Sequence, residues 1–210
     1  MKTDPRKIRV LVADDHALMR MGLVTLFKTD QDLAVVGEAE DGQQAIDKTI
    51  EIKPDIVVLD LMMPGVSGTD ALLEIKKQRP ETKVIILTTF AISDAIARAL
   101  DGGAEAALLK STPNDELLDI VHRVAAGERH VSDEVKALLH SDPPAPPLSP
   151  RQRQMLEAVA KGLSNKEIAA KLDLKPDSIK SYFDILFAKL GVANRSEAVA
   201  IALRKHLLKI

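Results

Sequence analysis

The sequence contains no cysteine and no tryptophan, and aromatic residues make up only 2% of its 210 positions. Without cysteine, disulfides and thiolate metal sites are excluded, although the cellular compartment stays open. Scarce aromatics argue against a protein that binds single strands by stacking bases on rings. No apolar run approaches the roughly 20 residues needed to cross a bilayer. The opening stretch, Met1 to Asp15, lacks the apolar core and small-residue cleavage site of a signal peptide. A cytoplasmic protein with no membrane association is therefore expected. Net charge is also small, −2 overall, but unevenly spread. Residues 1–147 carry 17 Lys and Arg against 25 Asp and Glu, a net of −8, whereas residues 148–210 carry 12 against 6, a net of +6. A basic half behind an acidic one suggests that the second meets a polyanion. A merely solvated basic surface would show the same charge.

The chain is long enough for two small domains, and 46% of it is apolar, enough for two cores. The strongest break is Asp142-Pro143-Pro144-Ala145-Pro146-Pro147. Four prolines in five residues cannot be helical and favour an extended spacer. The expected organisation is a first domain over 1–127, a linker over 128–147 with a short helix and the proline-rich segment, and a second domain over 148–210.

Before the break, short apolar runs alternate with helical patterns. The runs are Ile8–Ala13, Leu33–Glu38, Ile56–Leu59, Val84–Leu87 and the alanine-rich Ala106–Leu109. Mostly Ile, Val and Leu, they read as strands covered on both faces. Helices are expected near 16–28, 42–53, 68–78, 92–101 and 114–126, two of them stopped by Pro54 and Pro80, with Asn114 as a cap. Five β-α units imply an α/β parallel sheet of five strands covered on both faces; the doubly wound, flavodoxin-like order 2-1-3-4-5 is the arrangement expected for it. After the break, four helices are expected near 150–161, 165–171, 177–190 and 195–207, the last opened by an Asn194–Glu197 capping pair.

Polar residues gather where the apolar runs end: Asp14 and Asp15 after the first, Asp60 after the third, Thr88 after the fourth, Lys110 after the fifth. Ligands of open parallel sheets bind beyond the carboxyl ends of the strands, at the point where strand order reverses. Three converging carboxylates repel one another and call for a cation; Mg2+ prefers such oxygen ligands and keeps waters that phosphate oxygens can replace. A neutralised carboxylate can attack phosphorus, with Thr88 and Lys110 placed to hold phosphoryl oxygens. Any one of these residues alone reads as an ordinary strand-end loop residue; five on one edge do not.

The segments Val12-Ala13-Asp14-Asp15-His16, Val58-Leu59-Asp60-Leu61-Met62-Met63-Pro64-Gly65, Ile86-Leu87-Thr88 and Leu108-Leu109-Lys110 resemble the signature of response-regulator receiver domains over about residues 6–126. The resemblance implies that Asp60 is the phosphoacceptor. It implies that Asp14, Asp15, Asp60 and the backbone carbonyl of Met62 hold Mg2+, and that Thr88 and Lys110 support the phosphoryl group. Three residues before Lys110, where many receivers have an aromatic that moves inward on activation, stands Ala107, so that switch cannot work in its usual form. Ser111 stands where many have proline. Met62 and Phe90, two residues beyond the acceptor and beyond the threonine, cannot orient a hydrolytic water, which implies a long-lived phosphoryl group.

In the second half, Leu148 to Leu156, Gly162 to Ala169, Ser178-Ile179-Lys180 and Lys189 to Arg195 resemble the LuxR-type helix-turn-helix. Together the halves resemble the NarL/FixJ family of two-component response regulators. The expected partners are a sensor histidine kinase, double-stranded promoter DNA, a second copy of the chain, and RNA polymerase. Apolar residues at Ile179, Phe183, Leu186 and Leu190 leave Lys180, Ser181 and Asp184 on the opposite side of the helix near its start, where such helices reach base edges. Lys166, Lys175 and Lys189 suit phosphates, and Ser178 opens the reading helix. Gln152, Tyr182, Asp184 and Ile185 depart from the usual residues at their positions. Asp184 either accepts from a cytosine amine or pairs with Lys180 one turn earlier. Ile185 is expected to pack against another helix, and Ala198, Val199, Ala202 and Leu203 to form a dimer seam or core. Two other readings compete. A Mg2+-dependent phosphatase would need an acid where Met62 stands. A constitutive DNA binder with a vestigial receiver fits poorly with an intact Asp14, Asp15, Asp60, Thr88 and Lys110.

Overall fold

The structure, a computed structural model, describes residues 7–89, 93–175, 178–205 and 207–208. It divides into two compact units, one ending at Pro143 and the other starting at Pro144.

In the first unit, β1 (Ile8–Ala13), β2 (Leu33–Ala39), β3 (Ile56–Leu59), β4 (Lys83–Thr88), β5 (Ala106–Leu109) and β6 (His130–Val131) form one sheet in the order β2-β1-β3-β4-β5-β6. Every pairing is parallel. Successive side chains of a strand point to opposite faces, so a strand apolar at every position feeds two cores. Leu11, Val57, Leu59 and Ile86 face one side, Val10, Val12, Ile56, Val58 and Ile85 the other. On the second side lie α1 (Ala17–Thr29) with Leu23, Val24 and Phe27, and α5 (Asn114–Ala125) with Leu117, Ile120, Val121 and Val124. On the first side lie α2 (Gly42–Ile52), α3 (Gly68–Gln78) and α4 (Ser93–Asp101). Burying each large apolar side chain contributes about 1.5–3 kcal/mol.

The five expected strands appear within one or two residues of their expected limits, the alanine-rich β5 included. One expected cap does not form: Asn114 lies inside the first turn of α5, behind Pro113 at the cap position, and no side chain caps that helix.

The sixth strand was not expected. His130 donates its amide to Glu105 O at 2.9 Å and Ser132 donates to Ala107 O at 3.1 Å, adding one short rung beyond β5. Ser132 then caps α6 (Asp133–Ser141), whose Val135, Leu138 and Leu139 pack on the α3–α4 side. Residues 128–143, read from sequence as the start of a linker, are thus part of the first unit. Two residues are too few for a period-2 pattern to register, which is why periodicity did not reveal them.

Gly68 fixes how closely α3 approaches β3. A Cβ there would lie 1.9 Å from Asp60 O and 2.7 Å from Leu61 Cα, both backbone atoms that cannot yield like a flexible side chain. Gly68 also donates its amide to Leu61 O at 2.9 Å. Replacing it should therefore displace the end of β3, where Asp60 lies. Gly68→Ala is expected to cost about 3 kcal/mol or more, read as a lower denaturant midpoint with an unchanged slope. A loss under 1 kcal/mol, measured by the same linear extrapolation, would show that the backbone relaxes freely.

The second unit is all-helical: α7 (Pro150–Ala160), α8 (Asn165–Lys171), α9 (Ser178–Leu190) and α10 (Arg195–Arg204). Each of α7 and α8 opens with a reciprocal capping box, Ser149 with Gln152 and Ser164 with Glu167. Asn194 caps α10 by accepting from Glu197 N at 3.0 Å. The core gathers Met155, Leu156, Ile168, Ala169, Ile179, Phe183, Leu186 and Leu190. Ala198 and Ala202 are fully buried in it, so these two belong to the core of the unit; of the four residues considered for a seam, Leu203 is exposed.

Candidate functional site

The parallel ladders run one residue past the strands and fix the residues that follow. Asp14 donates its amide to Ala39 O at 3.0 Å, Asp60 to Ala13 O at 2.9 Å, and Lys110 to Thr88 O at 2.9 Å. The strand ends therefore bring Asp14, Asp60, Thr88 and Lys110 to one edge although up to 96 positions separate them in the chain. Asp14, Asp60 and Thr88 are almost wholly buried. Lys110 Nζ lies 2.6 Å from Asp14 Oδ2 and 2.7 Å from Asp60 Oδ2, an ammonium shared by two carboxylates. Ligating atoms of Asp14, Asp15, His16 and Asp60 all lie within 4.8 Å of one another. Met62 donates its amide to Asp60 Oδ1 at 3.2 Å, and its side chain packs against the apolar cluster on the α3–α4 side. Phe90, the other residue considered for shielding, lies outside the described residues.

Burial pushes the Asp60 carboxyl above its ordinary value; the Lys110 ammonium and the Met62 amide pull it back, while Asp14 adds repulsion. For Lys110, burial pulls the ammonium down, but Asp14 and Asp60 together raise it further, so it stays charged. A raised carboxyl favours its protonated form in the folded state. Its contribution to stability is whole below the ordinary aspartate range and is lost as pH rises through the raised value. Asp60→Asn carries no charge at any pH, so it should melt higher than the parent at neutral pH, with the gap closing as pH falls. Thermal melts across pH check this; equal or lower melting of the variant at neutral pH would contradict it.

Sequence reasoning missed two residues at this edge. Arg20, four residues into α1, donates from Nη1 to Asp14 O at 2.6 Å and lies 3.5 Å from Glu38. His16 Nδ1 lies 2.8 Å from Asp15 Oδ1. The helical spacing of Arg20 behind the Asp-Asp pair was the one available signal.

In the second unit, Ile179, Phe183, Leu186 and Leu190 turn inward from α9, and Lys180, Ser181 and Asp184 face outward, with Ser178 half-buried at its start. Lys166 and Lys175 are exposed. Lys189 is half-buried and reaches Gln152 Oε1 at 3.3 Å, so it is tethered. Among the described residues no ion pair joins Asp184 to Lys180. Ile185 is 60% exposed and Tyr182 39% exposed, so Ile185 does not pack against another helix as expected. Arg195 ties α10 to α8 and α9, donating to Asn165 Oδ1 at 3.0 Å and lying 5.2 Å over the Phe183 ring.

A doubly wound parallel sheet with an acidic cluster at its carboxyl edge, followed by a helix-turn-helix unit, is the build of a two-module regulator. Residues 10–122 match the family model of the response regulator receiver domain, and residues 146–202 that of bacterial regulatory proteins of the luxR family. The chain belongs to the two-component response regulators that join these two domains. It is 37% identical to a nitrate/nitrite response regulator protein homolog of Haemophilus influenzae over 93% of this chain and 96% of the relative. It is 34% identical to the response regulator protein VraR of Staphylococcus epidermidis over 96% and 99%. Among solved structures, one of two RcsB dimers bound to two parallel DNAs aligns with a TM-score of 0.68 and 27% identity, covering 95% of this chain and 99% of that one.

Proposed function

We propose that Asp60 is the phosphoacceptor of this regulator and that its phosphorylation by a sensor histidine kinase controls dimerisation and sequence-specific binding of promoter DNA. The observation that supports this most is the sharing of Lys110 by Asp14 and Asp60 at the switch point of the sheet. The donor set fits Mg2+: hard carboxylate oxygens converge, and Asp15 Oδ1 is buried with no hydrogen bond. Asp14, Asp15, Asp60 and the Met62 carbonyl would hold the ion. Bound there, Mg2+ neutralises charge on the carboxylates and on the phosphoryl oxygens.

An Asp60 carboxylate oxygen attacks the phosphorus of the donor's phosphohistidine. The new O–P bond forms as the N–P bond breaks, and the electron pair leaves with the imidazole nitrogen. Thr88 Oγ1 donates to one phosphoryl oxygen. Lys110 exchanges its bond to Asp60 for one to another, keeping Asp14 as a partner. Met62 offers no acid two residues beyond the acceptor, so the chain does not act as an ester phosphatase.

Signal leaves along the sheet edge rather than through an aromatic at position 107. Ala107 is buried under α6, which touches both β5 and α4. Ser93 at the start of α4 donates to Asp142 Oδ2 at 2.8 Å. A shift of α4 would thus reach the residue that opens the proline-rich spacer. In the second unit Lys180, Ser181 and Asp184 read base edges from α9, Ser178 lies at its start, and Lys166, Lys175 and Lys189 meet phosphates. With Ala198 and Ala202 in the core, Leu203 and the rim of α10 form the contact between copies on DNA. Among the described residues no helix is long and apolar enough to cross a membrane. The proposed place of action is the cytoplasm, with RNA polymerase as a further partner at the promoter. DNA affinity measured with and without a phosphodonor tests this reading: a tighter complex on phosphorylation of Asp60 supports it, and unchanged affinity contradicts it.

A further inference from the structure

The most exposed large apolar side chain of the second unit sits on α9. We infer that this residue, Ile185, reads a base by packing on the 5-methyl group of a thymine in the major groove, a step that rests on α9 being the helix that enters the groove.

Among the described residues of the second unit, the exposed large apolar side chains are Tyr182, Ile185 and Leu203, and two of them lie on α9. Ile185 is 60% exposed. The helix buries Ile179, Phe183, Leu186 and Leu190 on one side. At 3.6 residues per turn, Ser181, Asp184, Ile185 and Ala188 fall on the other side, and all four are exposed. The core has no use for Ile185, because Leu186 beside it takes the inward place. The helix has none either, since a β-branched residue forms helix less readily than alanine or lysine. A lone exposed apolar residue is common on protein surfaces. What sets Ile185 apart is its place in the middle of the face that α9 turns outward.

The surroundings select the occupant. Residues 148–210 carry a net charge of +6, and Lys166, Lys175 and Lys180 are exposed, so a polyanion is favoured over an apolar protein surface. Phosphates offer isoleucine nothing, and the Asp184 carboxylate next to it repels them. The apolar group that a major groove presents is the thymine methyl. Ser181 and Ala188, one turn to either side of Ile185, are small and exposed, so neither holds the helix away from a base edge.

Isoleucine has no hydrogen-bonding group, so the donors and acceptors of a base pair are invisible to it. It distinguishes thymine from cytosine or uracil by the methyl alone. Burying one such group favours the complex by about three- to fivefold. The polar residues Lys180, Ser181 and Asp184 would then read hydrogen-bonding edges while Ile185 reads a methyl beside them.

The test uses the full chain, with acetyl phosphate and Mg2+ present, and a duplex that wild type selects from a randomised pool. Each thymine of that duplex is replaced singly by deoxyuridine, which deletes the methyl and keeps every hydrogen-bonding group. Wild type should lose about three- to fivefold in affinity at one thymine of each bound site. Ile185→Ala should bind the thymine and uracil duplexes equally there, with an unchanged salt slope because no phosphate contact is lost. Ile185→Val, one methylene shorter, should keep part of the difference. Uracil sensitivity that persists in Ile185→Ala would overturn the inference. So would equal weakening of both duplexes with the thymine–uracil difference intact, which would mark a contact between copies or a structural effect. Selective, salt-dependent binding by wild type with no methyl dependence at any thymine would sink the inference while leaving α9 as the reading helix. Failure of wild type to bind any duplex would defeat that reading itself, and with it this inference.

Discussion

Incubated with acetyl phosphate and Mg2+, the wild-type chain should take up one hydroxylamine-labile phosphoryl group, and Asp60→Asn should take up none. The expectation comes from what else the pocket offers. Asp14 is as buried as Asp60, but it already accepts the His16 amide at 2.8 Å through Oδ1 and Lys110 through Oδ2. Asp15 follows Asp14 on the same loop and is only half-buried. Asp60 alone among the three lies at the end of β3, between the strand bearing Asp14 and the strand bearing Thr88. An incoming phosphoryl group there can be met from both sides, by the cation ligands and by Thr88 with Lys110. Asparagine keeps the shape and removes the nucleophilic charge, so labelling should fall to background. Lys110→Ala should still label, because the nucleophile remains, but should lose the link between labelling and DNA binding. Intact-mass spectrometry reads both. Full labelling of Asp60→Asn would move the acceptor to another residue.

The second large effect concerns salt. Residues 144–210 form a compact unit with its own core. This fragment should bind duplex DNA with an affinity that falls steeply as salt rises. Each phosphate neutralised releases counterions and contributes about −0.9 to the log–log slope. Lys166, Lys175, Lys180 and Lys189 would together give a slope of about −3 to −4. Lys189 should count least, since its ammonium is held 3.3 Å from Gln152 Oε1. Lys180→Ala should cost about 1–3 kcal/mol on the preferred sequence and relax base preference, as loss of a base contact does. A uniform loss across sequences, with the slope reduced by about one, would make Lys180 a phosphate contact. Binding that ignores salt would count against a DNA role for α9. Asp184 is exposed and has no ion pair with Lys180 among the described residues; on the proposed reading of α9 as the groove-reading helix, its acid should disfavour sequences that offer it no cytosine amine.

Much of this was legible in the sequence because the physics is local. β3, β5 and most of β1 and β4 are continuous apolar runs buried on both faces, so pattern and burial agree there, while the edge strand β2 is mostly half-buried. Asp14, Asp60, Thr88 and Lys110 each end such a run, and a parallel sheet must place those ends together. The helix-turn-helix was legible from spacings of three and four at Ile179, Phe183, Leu186 and Leu190. What escaped was non-local. β6 is two residues long and exists only because β5 offers an edge. Val135 and Leu138 bury themselves on helices far away in sequence, so residues 128–143 read as linker. The pair expected between Asp184 and Lys180 is allowed by helical spacing but not formed, because both side chains are solvated and such a pair contributes little. Ala198 and Ala202 illustrate the reverse: small residues at helical spacing permit close approach, but the spacing does not say whether the neighbour is another copy or the same core.

The most direct measurement is the affinity of the full chain for its preferred DNA with and without a phosphodonor, repeated on Asp60→Asn. A tighter complex on phosphorylation in wild type, with no response in the variant, is the expected result. Equal affinities in wild type with Asp60 fully phosphorylated would contradict the claim that this carboxylate controls the DNA-binding unit.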